Sequence, residues 1–181
     1  MLIDGCIYTT PDFGPTSRFW REVTPRLGKL LDRQIYFLNR STMAPPFTVD
    51  ESVKVLQAPA LDMRDYATEG RRLAALCKEF AVPLFISTRY TSAANVPSVF
   101  VLADNFPFMG EILVTSLMAR QQAIENAALC VTLSTEGAEY LSSGYQVPAS
   151  KIRVIGSGAD PFADVEALAG SFATAIKEVA A

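Results

Sequence analysis

Two short apolar runs constrain the fold more than any other feature of this chain. Pro83 to Ser87 and Ser98 to Leu102 are each the length of one strand, and neither alternates apolar with polar residues. Continuous apolar strands are typical of a parallel sheet that is buried on both faces. Because parallel strands are joined by crossovers that usually contain a helix, the two runs predict an α/β fold.

The rest of the chain alternates strands with helices in the same way. This pattern indicates one domain whose mainly parallel sheet has right-handed crossovers and helices on both faces. Pro25 lies inside the first helical pattern and is expected to kink that helix or divide it. The predicted helices are about Arg18 to Leu31, Asp65 to Phe80, Met109 to Asn126 and Thr135 to Ser143, and the other predicted strands are Leu2 to Tyr8, Ile35 to Leu38, Val53 to Gln57, Ala128 to Leu133 and Ile152 to Ile155.

Charge and hydropathy argue against two classes of partner. The 181 residues carry a net charge of −3 without a basic cluster, so electrostatics offer no argument for binding nucleic acid. The longest apolar stretches are strand length and fall well short of the ~20 residues of a membrane span. The first residues also lack the basic and apolar pattern of a secretory signal. We therefore expect a cytoplasmic protein without a membrane span or a nucleic-acid partner.

The chain has three cysteines and no histidine. Cys6, Cys77 and Cys130 are widely separated within apolar sequence, which is typical of buried, reduced thiols rather than of redox or nucleophilic ones. Without an imidazole, this chain cannot supply a Ser-His-Asp triad, a Cys-His pair or the usual histidine zinc site, and no metal site is expected. Any chemistry must use carboxylates, lysine, arginine or backbone dipoles.

Small or polar residues follow three of the apolar strands. Asp104 follows one, Ser134 and Thr135 begin a helix after the next, and a glycine pair, Gly156 and Gly158, follows the last. Open α/β sheets bind ligands at these carboxyl ends of strands. The order resembles the amino-terminal Rossmann-like domain of GT-B glycosyltransferases of the large retaining family four, in which the corresponding strands end in His-Asp, in Ser and in Asn-Gly-Val-Asp. The resemblance covers about residues 1–160.

The resemblance implies an acceptor-side, sugar-binding site at this edge of the sheet. Asp104 matches the acid of the family's His-Asp pair and is the candidate catalytic residue, whereas Ala103 stands where the family has the histidine. Gly14 permits close backbone approach, and the helix start after it offers amides to phosphate or sugar oxygens. The candidate acceptor-binding or sugar-binding residues are Gly14, Ser17, Arg18, Thr88, Arg89, Tyr90, Ser134 and Thr135.

Each of these positions also has a purely structural interpretation. Asp104 fits a carboxylate that caps backbone amides of the loop after it, and Ser134 with Thr135 fits a helix cap. Gly14 fits an ordinary turn between a strand and a helix. The sequence leaves these alternatives open. In either case we expect Gly14, Asp104 and Ser134 to converge on one edge of the sheet.

The sequence holds no counterpart of the family's nucleotide-sugar domain. It lacks that domain's pair of glutamates beside a basic residue, and it lacks the GxGxxG spacing of a dinucleotide site, so no cofactor is expected. The resemblance implies an acceptor-binding domain that is inactive alone in sugar transfer and binds nucleotide-sugars weakly or not at all. Its expected partners are a sugar or glycan acceptor and either a donor-domain protein or a second copy.

Two other functions remain as alternatives. One is a noncatalytic Rossmann-like module that serves as a scaffold or binds a partner protein. The other, an unrelated small α/β enzyme, ranks last because the sequence shows no nucleophile with its base, no metal cluster and no phosphate loop.

The last residues form an amphipathic segment. Asp160 and Pro161 have the pattern of a helix cap followed by a favoured first helical residue. In the resembled family the final helix crosses back onto the amino-terminal domain. We therefore predict that residues 161–181 pack on the domain formed by residues 1–160. The apolar residues of this segment that share one helical face are Val165, Leu168, Ala169, Phe172, Ile176 and Val179.

Overall fold

One sheet with helices on its two faces accounts for the part of the chain that the computed structural model describes, residues 1–9, 14–45, 47–61, 65–103, 114–156 and 160–180. The strands of this part are β1 (Leu2–Asp4), β2 (Ile35–Asn39), β3 (Val53–Gln57), β4 (Phe85–Ser87), β5 (Ser98–Leu102), β6 (Ala127–Thr132) and β7 (Ile152–Val154). Its α-helices are α1 (Pro15–Leu31), α2 (Tyr66–Glu79), α3 (Val114–Glu125), α4 (Thr135–Tyr145) and α5 (Val165–Ala180).

The sheet is parallel throughout its described strands. Their order is β3-β2-β1-β4-β5-β6-β7, and every neighbouring pair runs in the same direction. Apart from β7 at one edge, this is the doubly wound order of Rossmann folds. The prediction of a single α/β, Rossmann-like domain is therefore confirmed. The order reverses between β1 and β4, and this reversal decides where a ligand site is expected.

Alternate strand residues face two separate core layers. Ile3, Ile86 and Val99 pair across β1, β4 and β5 and face the layer that contains α1 and α5. Leu2 and Phe85 point to the opposite face, where α2 covers this half of the sheet. On that same face, residues of β5 and β6 pack with α3 and α4. Burial of strands on both faces explains their continuous apolar sequences.

The crossover from β4 to β5 contains no helix. Residues 88–97 run back along the face that α2 covers, and the amide of Ala94 donates to the Gly70 carbonyl at 3.0 Å. A Cβ atom on Gly70 would lie 3.2 Å from the Ser92 carbonyl oxygen, so a small residue allows the two segments to approach closely. This crossover carries Arg89 and Tyr90 at its start.

Helix α5 packs against α1 on the opposite face. The fully buried ring of Phe172 meets Phe19 edge to face at 5.3 Å and Trp20 at 5.9 Å between ring centroids. At the surface of the same contact, Arg26 Nε donates to Glu166 Oε1 at 2.6 Å. The amphipathic face of the segment thus has a partner surface.

The start of α5 differs from the prediction. The helix begins at Val165 rather than at Pro161, and Asp164 accepts a hydrogen bond from the Ala167 amide at 2.9 Å as its cap. Asp160 instead accepts from the Phe162 amide at 2.9 Å, which closes a separate turn. Both aspartates cap backbone amides, but only the second one begins the helix.

The predicted end of the first strand is wrong, and the predicted division of the first helix at Pro25 does not occur. Strand β1 ends at Asp4 rather than at Tyr8, because Cys6–Thr9 form a turn of 3-10 helix. Helix α1 begins at Pro15 and continues through Pro25 without being divided. Residues on either side of Pro25, Val23 and Leu27, are buried in the same core, and this packing holds the helix together across the hydrogen bond that proline cannot make.

The three cysteines are free and buried, as predicted. Burial raises the pKa of each thiol, namely those of Cys6, Cys77 and Cys130, to about 11. These thiols are therefore protonated at neutral pH and pack as small apolar groups.

Candidate functional site

The strand order reverses between β1 and β4, and open α/β sheets form a ligand crevice at the carboxyl ends of such a strand pair. In open α/β sheets, ligands bind at this point because the chains leave neighbouring strands in opposite directions. Here β1 ends at Asp4 and β4 ends at Ser87. The turn Cys6–Thr9 and the segment that starts at Thr88 follow these two strands, so they are the two walls expected for such a crevice.

Thr88 joins the two walls. Its Oγ1 donates to the Asp4 carbonyl at 2.7 Å and accepts from the Ile7 amide at 3.0 Å. The Cys6 sulfur lies 3.7 Å from the same oxygen. Since the hydroxyl has only one proton, Thr88 has no further hydrogen to donate to a ligand. Its contribution to the site is to fix the turn after β1.

A buried arginine lies at the base of the crevice. Arg40 follows β2, and its Nε and Nη2 donate to the two carboxylate oxygens of Asp4 at 2.5 and 2.9 Å. Nη2 also contacts Glu69 of α2, and Nη1 donates to the Pro59 carbonyl at 3.2 Å. The side chains of Asp4 and Arg40 have no exposed surface. This planar, two-bond pairing is the arrangement that best compensates a buried guanidinium.

Neighbouring charges shift the pKa values of Arg40 and Glu69. Burial by itself lowers the pKa of Arg40, but hydrogen bonds and charges from Asp4 and Glu69 outweigh it and raise that pKa above its ordinary value. Burial raises the pKa of Glu69 and is likewise outweighed, because Arg72 and Arg40 donate hydrogen bonds to its carboxylate and lower its pKa. Arg72 reaches Glu69 at 2.8 and 3.0 Å. Arg40 and Glu69 are therefore charged at neutral pH.

Two hydroxyl groups extend the cluster toward β4. Thr91 Oγ1 lies 2.7 Å from Asp4 Oδ2 and 2.9 Å from Ser87 Oγ. An ionised carboxylate only accepts, so Thr91 donates to Asp4 and Ser87 donates to Thr91. The amides of Arg89 and Thr91 donate to Ser87 Oγ at 3.1 and 2.9 Å. This chain of hydrogen bonds fixes the backbone that presents Arg89 and Tyr90.

The sequence reasoning missed the pair formed by Asp4 and Arg40. The available signal was an aspartate inside an apolar strand and an arginine directly after another apolar strand. Charged residues in such positions are rarely buried unless they are paired. Their pairing across 36 positions of the chain depends on β1 and β2 being neighbours in the sheet.

Helix α1 begins at the same edge of the sheet. Gly14 precedes it with φ of 59° and ψ of −128°, a backbone conformation that favours glycine. Gly14 and Arg18 are exposed, whereas Ser17 is buried. The Arg18 guanidinium lies 4.4 Å from the ring centroid of Phe162, just before α5. The positive end of the α1 dipole and the Arg18 charge thus face the same region.

Helix α4 begins after β6, also at the carboxyl edge. Ser134 Oγ accepts from the Gly137 amide at 3.1 Å, so this serine caps the helix as predicted from sequence. Thr135 is exposed beside it. Hydrogen bonds from its own backbone amide and from Ser134 lower the pKa of Glu136 in the first turn. The α4 start therefore favours negative charge or ligand oxygens.

Most of the site residues predicted from the sequence lie at the carboxyl edge of the sheet. Gly14, Thr88 and Ser134 all follow carboxyl ends of parallel strands and lie at one edge of the sheet. Arg89 and Tyr90 are half-buried at that edge, with the guanidinium 5.7 Å from the tyrosine ring centroid. Asp104, the candidate catalytic residue, lies outside the described residues. Ala103 directly precedes it and is half-buried at the end of β5.

Comparison with known proteins assigns this chain to no family. No protein-family model matches the chain, and no curated protein matches it significantly in sequence. The glycosyltransferase resemblance therefore rests on the order of the sequence motifs.

Two properties of the described residues bear on the kinds of site they form. None of their helices is both long enough and apolar enough to cross a membrane. Within the described ranges, no group of three acidic, cysteine or histidine side chains is placed to hold a metal ion.

Proposed function

We propose that this chain is a sugar-binding or glycan-binding domain related to the acceptor half of GT-B glycosyltransferases. It holds the acceptor at the carboxyl edge of its sheet, and these residues transfer no sugar without a nucleotide-sugar domain. It works in the cytosol, where the three buried cysteines stay reduced.

The crevice at the strand-order reversal carries this proposal. The α1 start, the segment after β4 and the α4 start all lie along the carboxyl edge. Exposed polar side chains lie along the carboxyl edge at Arg18 and Thr135, and the half-buried Tyr90 packs against the β5–β6 layer with its ring centroid 5.9 Å from the Arg120 guanidinium. Sugars are bound by such mixtures of hydroxyl, amide and aromatic groups, because a pyranose has polar edges and apolar faces. The return of α5 onto α1 is a second supporting observation.

Two features support binding without autonomous transfer. Ala103 occupies the position at which the resembled enzymes have a histidine, and alanine neither donates nor accepts a side-chain hydrogen bond. The buried Arg40 is engaged by Asp4 and Glu69, so it does not offer an open cation to a diphosphate.

Saccharide titration tests the proposal directly. We expect at least one of glucose, mannose, N-acetylglucosamine, maltose and cellobiose to shift amide resonances of the chain saturably in 15N-1H NMR spectra. The shifts should cluster at the starts of α1 and α4. Shifts that are absent for every saccharide, or that cluster elsewhere, would contradict acceptor binding.

Substitutions at the edge give the matched control. Thr135→Ala and Arg18→Gln remove exposed polar groups, so each should leave the fold intact and weaken saccharide binding by about two- to tenfold. Ser142→Ala, on the exposed side of α4 and away from its start, should have no effect. Equal effects of all three substitutions would place binding away from this edge.

Nucleotide-sugars provide the contrasting titration. Calorimetry with uridine, guanosine and thymidine diphosphate sugars should show no binding tighter than the millimolar range. A micromolar dissociation constant for any of them would contradict the missing donor site.

A noncatalytic interaction module is the second candidate function. Leu117 and Met118 are adjacent on α3 and are 44% and 66% exposed, and exposed apolar neighbours of this kind favour a protein contact. Light scattering after size exclusion would detect self-association. A dimer that Leu117→Lys and Met118→Lys convert to a monomer would favour this function over saccharide binding.

A further inference from the structure

A cavity of about 180 Å³ lies at the amino-terminal edge of the sheet, opposite the proposed acceptor site. It opens where β1 and β4 begin and where α1 and α5 end. The described residues that line it are Met1, Leu31, Arg33, Pro83, Leu84, Ile176 and Lys177.

The side chains at the floor of this cavity are apolar, and the α-ammonium group of Met1 donates to the Gln34 carbonyl at 3.3 Å. Met1, Leu31, Leu84 and Ile176 are buried members of the core between the sheet, α1 and α5. The volume slightly exceeds that of the ~150 Å³ apolar cavity that binds benzene in an engineered protein. The floor therefore suits an apolar group of about six carbon atoms.

The remaining charged residues of the lining are positive. Arg33 follows α1, Lys177 lies in the last turn of α5, and both side chains are exposed. No carboxylate is among the described lining residues, and neither cation makes an ion pair with a described acid. Cations near helix carboxyl ends are favourable in themselves. That effect explains one cation on each helix, but it does not explain an apolar cavity between them.

We infer that this cavity binds a small amphipathic anion, namely a linear alkyl carboxylate. The alkyl chain lies on the floor formed by Leu84 and Ile176, and the carboxylate pairs with Arg33 and Lys177 at the opening. A polar uncharged ligand would leave both cations without a partner, and a cation would be repelled by them. This inference is independent of the acceptor site, because the two lie at opposite edges of the sheet.

Titration of the full chain with hexanoate, followed by 15N-1H NMR spectra, tests the inference. We expect saturable shifts at amides of the lining residues and tighter binding of hexanoate than of acetate, because acetate leaves the floor empty. Hexan-1-ol should bind more weakly than hexanoate, because it lacks the charge. Decanoate should bind no more tightly than hexanoate, because its chain exceeds the cavity.

Charge substitutions distinguish binding in the cavity from nonspecific attraction of an anion to the protein surface. The double variant Arg33→Gln/Lys177→Gln should weaken hexanoate binding roughly three- to thirtyfold, as expected for two rim charges. The matched variant Arg71→Gln/Lys78→Gln removes two exposed cations from α2 on the other face of the sheet and should leave binding unchanged. All four positions are exposed, so both variants should fold.

Any of three results would overturn the inference. The first is the absence of saturable shifts at the lining residues. The second is hexan-1-ol binding as tightly as hexanoate. The third is an equal effect of the two double variants.

Discussion

Truncation of Phe172 is the sharpest test of how α5 stabilises the domain. The ring is fully buried and meets Phe19 and Trp20 edge to face, at 5.3 and 5.9 Å between centroids. Phe19 and Trp20 meet each other at 5.0 Å, so the three rings form one cluster between α1 and α5. Phe172→Ala removes the only contribution of α5 to this cluster among the described residues.

The expected loss follows from burial. Truncating a buried phenylalanine to alanine costs about 3–5 kcal/mol, through lost transfer free energy and the cavity left behind. Domains of this size unfold with a free energy of about 5–15 kcal/mol, so the loss is a large fraction of the total. At roughly 2–4 °C per kcal/mol for a chain of this length, the midpoint of thermal unfolding should fall by about 6–20 °C.

Because the chain has a single tryptophan, its fluorescence reports on the α1–α5 contact as well as on unfolding of the whole domain. This residue, Trp20, is fully buried beside Phe172. Denaturant unfolding followed by tryptophan emission and by circular dichroism gives the free energy of unfolding with two probes. Ser171→Ala, at the exposed neighbouring position, is the control and should change stability by less than about 0.5 kcal/mol. A Phe172→Ala protein within about 1 kcal/mol of the parent would refute the docking argument, since the cost of an emptied aromatic site is several-fold larger.

Three further predictions concern a buried ion pair, two glycines and the buried thiols. Arg40→Gln should lower the free energy of unfolding by about 3–5 kcal/mol in denaturant titrations, because it leaves the Asp4 carboxylate buried without its partner, and adding Asp4→Asn should recover part of the loss. Gly156→Ala should prevent normal folding, as measured by circular dichroism, because its Cβ atom would lie 1.8 Å from the Leu133 carbonyl oxygen. Gly170→Ala, on the open surface of α5, should instead raise the stability by about 0.5–1 kcal/mol. The three buried thiols should resist a disulfide reagent at pH 8 and react after unfolding. Because folding raises their pKa from 9.0 to about 11, the unfolded chain loses thiol protons first, and stability should fall as the pH rises from about 9 to 11.

The order of elements was predictable because its signals are local or periodic. Strands β4 and β5 are apolar on both faces, which indicated a covered parallel sheet before any contact was known. The Ser134 cap was predictable for a similar reason, since a serine accepts from an amide only three residues away.

Predictions failed where two local patterns compete. Asp160 and Asp164 both have side chains that accept from nearby amides, and the sequence alone favoured the one followed by proline. In the structure the Phe162 side chain is buried and the Arg18 guanidinium lies 4.4 Å from its ring centroid. Asp160 therefore closes a turn beside a buried ring, and the helix begins at Val165.

The candidate site was only partly predictable from the sequence, because its central contacts join residues that are far apart in the chain. The sequence around Asp4 and Arg40 indicates that each charge needs a partner but not that they meet, because their contact depends on the order of strands in the sheet. Thr88 illustrates the same limit. Its position at a strand end suggested a ligand contact, while its hydroxyl is used to fix the turn after β1.

The charge balance at the strand-order reversal also decides which ligands suit this edge. Asp4 and Glu69 carry two negative charges, and Arg40 and Arg72 carry two positive ones, so the buried cluster is neutral overall. A diphosphate would gain little attraction from it. A saccharide needs no net charge and uses the hydroxyl, amide and aromatic groups that border the crevice. Helix starts add partial positive charge that suits individual sugar oxygens. The neutral cluster therefore adds no attraction for a diphosphate, and any such attraction would have to come from Arg18 and Arg89 at the edge.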